Sequence, residues 1–487
     1  MKTTSFYLKA ITALVLISYM ISCSSTDVRE KVLNPDEPDV IDEPAPTVRK
    51  ITKISESVQR PGDAIVGKEY LFNGDYMSSG VPYDAWIFGN GENDDNVLER
   101  TGDNAIISYD NTAVNAVNGV RVVAPNCLNC HSAKINNEYV IGLGQHDGDY
   151  TNNRADNVPL LTAAINSIYG SNSPEAEAYQ QFGRSVTAIG PKTITASRGV
   201  NPANKIAEVL ISHRDKNTLD WNDEPFVQVS DEVIPTDVPA WWLLKKKNAM
   251  FYTAMSRMDF CKSFVGASLL TMGGLEKAKE VDKNMEDVLA YIYSLDAPDY
   301  PFEINTGLAA QGKEIFDNTC VECHGSYSAN EETYPNVLVA LETIGTDASL
   351  SDKYTTSTTT NTYFLDWFNN GWFGTDENAI AIIPEGGYIA PPLDGIWATA
   401  PYFHNASVPT IAAVLNSKER PQFWKRTFDN SDYDTINLGW NYTIETNQSD
   451  TDTYNTTLKG YGNGGHTFGD ALTDTERTAL LEYLKTL

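Results

Sequence analysis

The sequence predicts a mainly α-helical chain of two similar domains in tandem, with long loop insertions and a few short strands. Three observations lead there. A Cys-x-x-Cys-His motif occurs twice, at Cys127-Leu128-Asn129-Cys130-His131 and at Cys320-Val321-Glu322-Cys323-His324. Each copy is followed by an amphipathic run that closes its half, MEDVLAYIYSL ending at Leu295 and ALTDTERTALLEYLKTL ending at Leu487. The spans nearly match: 164 residues from His131 to Leu295, and 163 from His324 to Leu487.

Residues 1–22 read as a signal peptide of lipoprotein type. Lys2 and Lys9 precede an apolar run, Ala10 to Ile21, that is too short to span a bilayer. The run ends in Met20-Ile21-Ser22-Cys23, so Cys23 is the expected lipid attachment point. Met20 stands where Leu is more usual. Residues 23–55 are acidic and Pro-rich (NPDEPDVIDEPAP), a composition that cannot bury a core and reads as a tether. The expected location is the periplasm or outer membrane of a Gram-negative bacterium, held to the membrane by the lipid anchor.

The globular part divides into an N-terminal domain, 56–300, and a C-terminal domain, 301–487, joined by the Pro-containing segment DAPDYPFEINTG, 296–307. In the second domain, Gly312 and Phe316 lie on an amphipathic helix running into Cys320. Its closing helix starts at a capping box, Thr473 with Glu476, and carries Leu480, Leu481 and Leu484 at helical spacing. The Thr-rich stretch TTSTTTNT between Tyr354 and Tyr363 reads as a loop or exposed strand.

Composition narrows the function. Of 487 residues 41% are hydrophobic, enough for a large core, and the formal net charge of −29 argues against nucleic acid as a partner. Six cysteines are too few for a disulfide scaffold of this length. Two thiols three residues apart can add across the two vinyl groups of a haem, and the adjacent histidine then sits under the ring as an axial ligand. A shared zinc site is disfavoured because the clusters lie 193 residues apart. Two covalently bound haem c groups are expected, on Cys127 and Cys130 and on Cys320 and Cys323, with His131 and His324 on the irons.

The remaining histidines are His146, His213, His404 and His466. His466 lies in GYGNGGHTFGD, a glycine-rich loop able to bring a side chain to a haem face. His404 lies in PPLDGIWATAPYFHNASVPTI, where Trp397, Tyr402, Phe403 and His404 itself are candidate haem surroundings and Trp397 a candidate relay between haems. His146-Asp147-Gly148-Asp149 with Asp156 offers oxygen ligands for Ca2+, without EF-hand spacing. Cys261 has no partner and reads as a small buried hydrophobe.

These motifs resemble the bacterial dihaem cytochrome c peroxidase and MauG superfamily, and within it the rubber-oxygenase-like dihaem c-type cytochromes. The residues carrying the likeness are PYFHNASVPT, ERPQFW, NLGW, GNGGHTFG and DVPAWWLLKKKNAMFYTAMSRMDF, over roughly residues 60–487. The resemblance implies that His466 is the second axial ligand of the C-terminal haem. It also implies that the N-terminal haem is open, in an apolar pocket to which Trp241, Trp242, Phe251 and Phe260 correspond. The segment after PYFH, IAAVLNSKERP, holds neither the Met nor the Tyr that closes the iron in the peroxidase and MauG branches. Met250, Met255, Met258, His146 and His213 remain alternatives for the sixth position of the first iron. The expected activity is a haem-dependent oxidoreductase acting with peroxide or dioxygen, served by a small redox protein (a cytochrome or cupredoxin). A dioxygenase cleaving an apolar substrate and a non-enzymatic electron carrier with both irons closed are the competing readings.

Overall fold

The computed structural model describes residues 49–328 and 331–487. The expected signal peptide, Cys23 and tether residues up to 48 lie outside the described residues. Helix α1 (Ala64–Asn73) begins at Asp63, whose carboxylate accepts from the backbone N–H groups of Ile65 and Val66. Helix α2 (Leu275–Ser294) turns Ala278, Val281, Met285, Leu289 and Ile292 inward, at the spacing of one helical face. Helix α3 (Thr306–Thr319), capped by Asn305, buries Ala309, Gly312 and Phe316. Helix α4 (Asp474–Leu484) starts at the expected reciprocal Thr473–Glu476 box.

These four helices form two crossings of the same kind. α1 packs on α2 and α3 on α4, each with a glycine at the point of closest approach. A Cβ on Gly67 would stand 1.8 Å from the carbonyl oxygen of Asp287, and one on Gly312 would stand 2.0 Å from that of Ala479. Each half thus opens and closes with a pair of helices whose backbones nearly touch.

The fold is nonetheless mixed, and not clearly two tandem haem domains. Small antiparallel sheets tie the halves together. Strand β1 (Ile51–Lys53) pairs with β2 (Val337–Ala340), with Ile51 opposite Val339, and β2 pairs with β3 (Gly387–Ile389), with Val339 opposite Tyr388. Ser256–Met258 pairs with Ile380–Ile382. One main core joins Leu71, Leu128, Leu289 and Ile292 to Trp367, Phe373 and Ile380. The other joins Ile135, Leu143 and Trp242 to Phe316, Trp397 and Leu480. Both cores cross the 300/301 boundary.

Three local expectations need correcting. Residues 49–55 do not extend freely: they supply β1, and Ile54 is buried among Ala249, Leu338 and Ile389. The Thr-rich stretch is neither free loop nor strand, because Thr358 caps the helix Thr359–Asn370 by accepting from the Asn361 N–H. The segment 296–307 is not a free linker. Its Pro298 carbonyl accepts from the Trp397 indole at 2.8 Å, and its Tyr300 hydroxyl donates to the Thr435 carbonyl at 3.1 Å. Among the described residues, no helix is long and apolar enough to cross a membrane.

Candidate functional site

The C-terminal motif is set by the end of α3. Cys320 caps the helix, and one further turn, Val321–His324, places the His324 N–H 3.0 Å from the Cys320 carbonyl. Gly325 then turns the chain with φ of +82°, where a Cβ would lie 2.0 Å from the Thr333 carbonyl. The imidazole Nδ1 of His324 lies 2.8 Å from the Pro391 carbonyl oxygen. That contact places the proton on Nδ1 and leaves Nε2 as a lone-pair donor.

Above His324 lies a cavity of about 230 Å3 whose lining includes Phe316, Cys320, Cys323, Tyr402, His404 and His466. His466 reaches it from a loop held at many points. Its N–H donates to the Ile344 carbonyl at 2.6 Å, and its φ is +46°. The preceding Gly465 passes so close to Gly345 that a Cβ would stand 2.2 Å from that backbone. Arg420, from the ERPQFW segment, donates to the carbonyls of Asn463 (2.8 Å), Gly465 (2.6 Å) and His466 (3.1 Å), and also to those of Ala413 and Val414. Asn405, from PYFHN, donates to Gly460 and Gly462. Sequence reasoning quoted both motifs without assigning these roles, which join segments more than 40 residues apart.

The imidazoles of His324 and His466 both line the cavity, with ring centres 6.3 Å apart and planes inclined at 57°. Two imidazoles on opposite sides of one metal ion, with metal–nitrogen bonds of about 2.0 Å and about 1.1 Å from nitrogen to ring centre, have centres about 6.2 Å apart. The separation fits a metal between them. Burial holds both rings neutral: His324 is lowered, and His466 falls to about 3, with the neighbouring His324 as a second cause. Neutral imidazoles are the form that donates a lone pair. Burial also pushes the Cys320 thiol up to about 11 and raises Cys323, surroundings that suit uncharged sulfur. Cavity, thiols and paired imidazoles together fit a haem bound through Cys320, Cys323, His324 and His466.

The N-terminal motif takes a tighter form. Cys127–Asn129 is a 3-10 turn capped by Asn126, and the His131 N–H again meets the carbonyl four residues back, that of Cys127, at 3.1 Å. Cys127 is pushed up to about 12 and His131 down to about 4, both by burial. The Pro239 backbone beside the ring partly offsets that burial, without a well-aligned hydrogen bond to Nδ1. Trp241 stacks on the His131 ring at 4.6 Å and 17°.

The four residues expected to form one distal pocket are dispersed. Trp241 and Trp242 begin a 3-10 helix, Trp241–Lys246, in which successive side chains diverge by about 120°. Trp241 therefore faces His131 and the first core, while Trp242 enters the second core and donates its indole N–H to the Asp394 carbonyl at 2.8 Å. Phe260 is fully buried in the first core. Phe251, at φ +68°, is turned outward and 42% exposed.

Of the alternative ligands of the first iron, the two histidines are engaged with other partners, while Met250 and Met255 share the core that holds Cys127 and Trp241. His146 has Nε2 at 3.2 Å from the Lys134 carbonyl and Nδ1 at 3.4 Å from Arg426. His213 stacks on Trp221 and meets the Asn222 carbonyl through Nδ1. Met258 is half exposed, opposite Ile380, Met250 is partly buried, and Met255 is buried in the first core. The expected calcium ligands do not converge either. Asp149 caps Thr151 and Asp156 accepts from Asn153, and among the described residues no three His, Cys, Asp or Glu side chains gather to hold a metal ion. Tyr402 and His404 do line the second cavity. Trp397 is not among the cavity's lining residues and packs in the second core, edge-on to Tyr300 and Tyr433.

Comparison with known proteins supports the haem reading. Residues 387–425 match a family model described as RoxA-like, cytochrome c-like. That segment supplies Tyr388, Pro391, Tyr402, His404 and Arg420, the wall and clamp of the second cavity. Among curated proteins, the chain is 25% identical over 225 residues to "Uncharacterized protein y4iM" of Sinorhizobium fredii, covering 42% of this chain and 49% of that protein. It is 42% identical over 111 residues to "Uncharacterized protein y4iJ" of the same organism, covering 20% of this chain and 18% of that protein. The chain thus spans about half the length of one relative and under a fifth of the other. The family match supports a relationship to RoxA-like c-type cytochromes.

Proposed function

We propose that this chain is an exported c-type cytochrome with one covalent haem on each Cys-x-x-Cys-His motif, acting as a haem-dependent oxidoreductase. In this reading the second site is closed by His324 and His466 and stores or passes electrons, while the first is open to peroxide or dioxygen. The observation that carries it is the 6.3 Å separation of His324 and His466 across a cavity that ends on Cys320 and Cys323.

When bound, the haem supplies one-electron iron chemistry. The protein's own residues do the rest. Cys320 and Cys323 tether, His324 and His466 bind, and the Pro391 carbonyl orients His324. Arg420 and Asn405 hold the His466 loop. The apolar wall of Phe316, Leu393 and Leu480 keeps water out. At the first site, the engagement of His146 and His213 with other partners supports an iron without a second histidine.

Trp241, not Trp397, is the aromatic side chain suited to pass electrons between the sites. It stacks on His131, and Ala240 and Leu243 beside it line the second cavity. A lipid anchor at Cys23, a location in the periplasm or outer membrane and a small redox protein as electron partner complete the proposal.

Carbon monoxide binding to the half-reduced and fully reduced protein tests it. One haem per chain binding the gas is the expected result. Binding by neither haem in either state would overturn the open first site and leave an electron carrier.

A further inference from the structure

Four charged side chains besides the histidines line the cavity around His324 and His466: Arg49, Asp237, Lys247 and Asp394. Three have partners. Arg49 pairs with Glu322 at 2.6 Å, Asp394 pairs with Lys246 at 2.6 Å, and Asp237 accepts from the Tyr252 hydroxyl. Among the described residues, Lys247 has none. It is only 9% exposed, and no described side chain or carbonyl makes a hydrogen bond or ion pair with its Nζ. Burial alone pushes the ammonium down to about 8, with no anion to offset it. A buried cation without a counter-charge is costly, so such a group implies an anion that completes it.

The backbone holds this lysine in place. Asn336, just before β2, accepts from the Asn248 N–H at 2.6 Å and donates to the Lys246 carbonyl at 2.9 Å, bracketing Lys247 on both sides. His404, on the same cavity wall and stacked on Tyr388, has its Nε2 buried without a partner. The wall therefore presents the Lys247 ammonium and the unpartnered His404 Nε2 to the cavity, beside the likewise unpartnered Thr346 Oγ1, Asp394 Oδ2 and His466 Nδ1.

We propose that Lys247 is the charge partner of a haem propionate at the C-terminal site, and that it sets the potential of that haem. The inference rests on the haem reading above, since a haem fixed through Cys320 and Cys323 brings two carboxylates into the same cavity. A cation beside the propionate offsets its negative charge and favours the ferrous state. Without it, a buried carboxylate would stand unpaired and favour the ferric state.

The test is an optical redox titration at pH 7 of the full-length holoprotein and two variants, Lys247→Met and Lys247→Gln, with haem attachment checked by mass. Both variants are expected to hold two haems and to lower the potential of the low-spin haem. The expected shift is tenfold or more in the ferric–ferrous equilibrium, about 59 mV for one electron. The other haem should stay unchanged. If either variant carries both haems at wild-type potentials, the Lys247 assignment is wrong while the haem reading stands. If wild-type protein carries no haem on Cys320 and Cys323, the haem reading fails and takes this inference with it.

Discussion

The indole of Trp241 lies nearly flat on the imidazole of His131, with ring centres 4.6 Å apart and planes 17° apart. The stack adds to the backbone of Pro239, which acts on the His131 ring much as the Pro391 carbonyl acts on His324. Each motif's histidine thus has a proline backbone beside it, and His131 carries an aromatic stack in addition.

Trp241→Phe should weaken that hold while keeping the core apolar. Loss of the larger stack should cost about 0.5–1.5 kcal/mol of stability. On the proposed reading of one haem per motif, electron exchange between them should slow, while the spectrum of the C-terminal haem stays the same. Flash photolysis of the half-reduced carbon monoxide complex reads this exchange, and an unchanged rate would remove Trp241 from the path.

His466→Ala should convert the second haem from low spin to a high-spin or water-ligated form. Arg420→Met should produce part of the same change without touching the imidazole, because the carbonyls of Asn463, Gly465 and His466 lose their donor. Unsatisfied buried carbonyls of this kind should also cost about 1–3 kcal/mol. Electron paramagnetic resonance separates the spin states, and a wild-type low-spin signal in His466→Ala would rule out that ligand.

Gly67→Ala and Gly312→Ala should both destabilise, since each new methyl group would meet backbone at about 2 Å. Overpacking of this kind costs about 1–3 kcal/mol, and more where backbone cannot yield. Thermal melts check this. A wild-type melting temperature in both variants would mean that the helix crossings are looser than described.

Asp237 gives a pH signature. Burial raises its carboxyl to about 7, against about 4 in an unfolded chain. Between those values the folded state keeps the proton and the unfolded chain has released it. The contribution of this group to stability is therefore full below about pH 4 and falls as pH rises to about 7, by about 1.4 kcal/mol per unit at most. Measured against Asp237→Asn, the wild type should lose relative stability from pH 5 to pH 8. A constant difference across that range would show that the carboxyl titrates normally.

What the sequence made legible was local. The Cys-x-x-Cys-His turns, the Thr473–Glu476 cap and the apolar faces of α2, α3 and α4 are written in residues three or four apart, and the structure has them. Tyr402 and His404 were readable from their dense aromatic segment. What was not legible depends on residues far apart in the chain. Nothing local marks Ile51–Lys53 as the partner of Val337–Val339, or Ser256–Met258 as the partner of Ile380–Ile382. The divergence of Trp241 from Trp242 requires knowing that the turn carrying them is 3-10. Arg420 and Lys247 stand in quoted motifs, but their roles depend on a loop and a cavity built from distant segments.

The interleaving of the two cores governs how the molecule would respond to a cut. Residues 296–307 are the natural place to nick the chain, yet Trp367, Phe373 and Ile380 would stay locked into the first core and Trp242 into the second. A protease acting there would yield two fragments that migrate as one until a denaturant parts them. Neither fragment made alone could bury the surface that the other supplies. Truncation at that point would expose apolar side chains on both pieces, so the chain must be handled, and lost, as a whole.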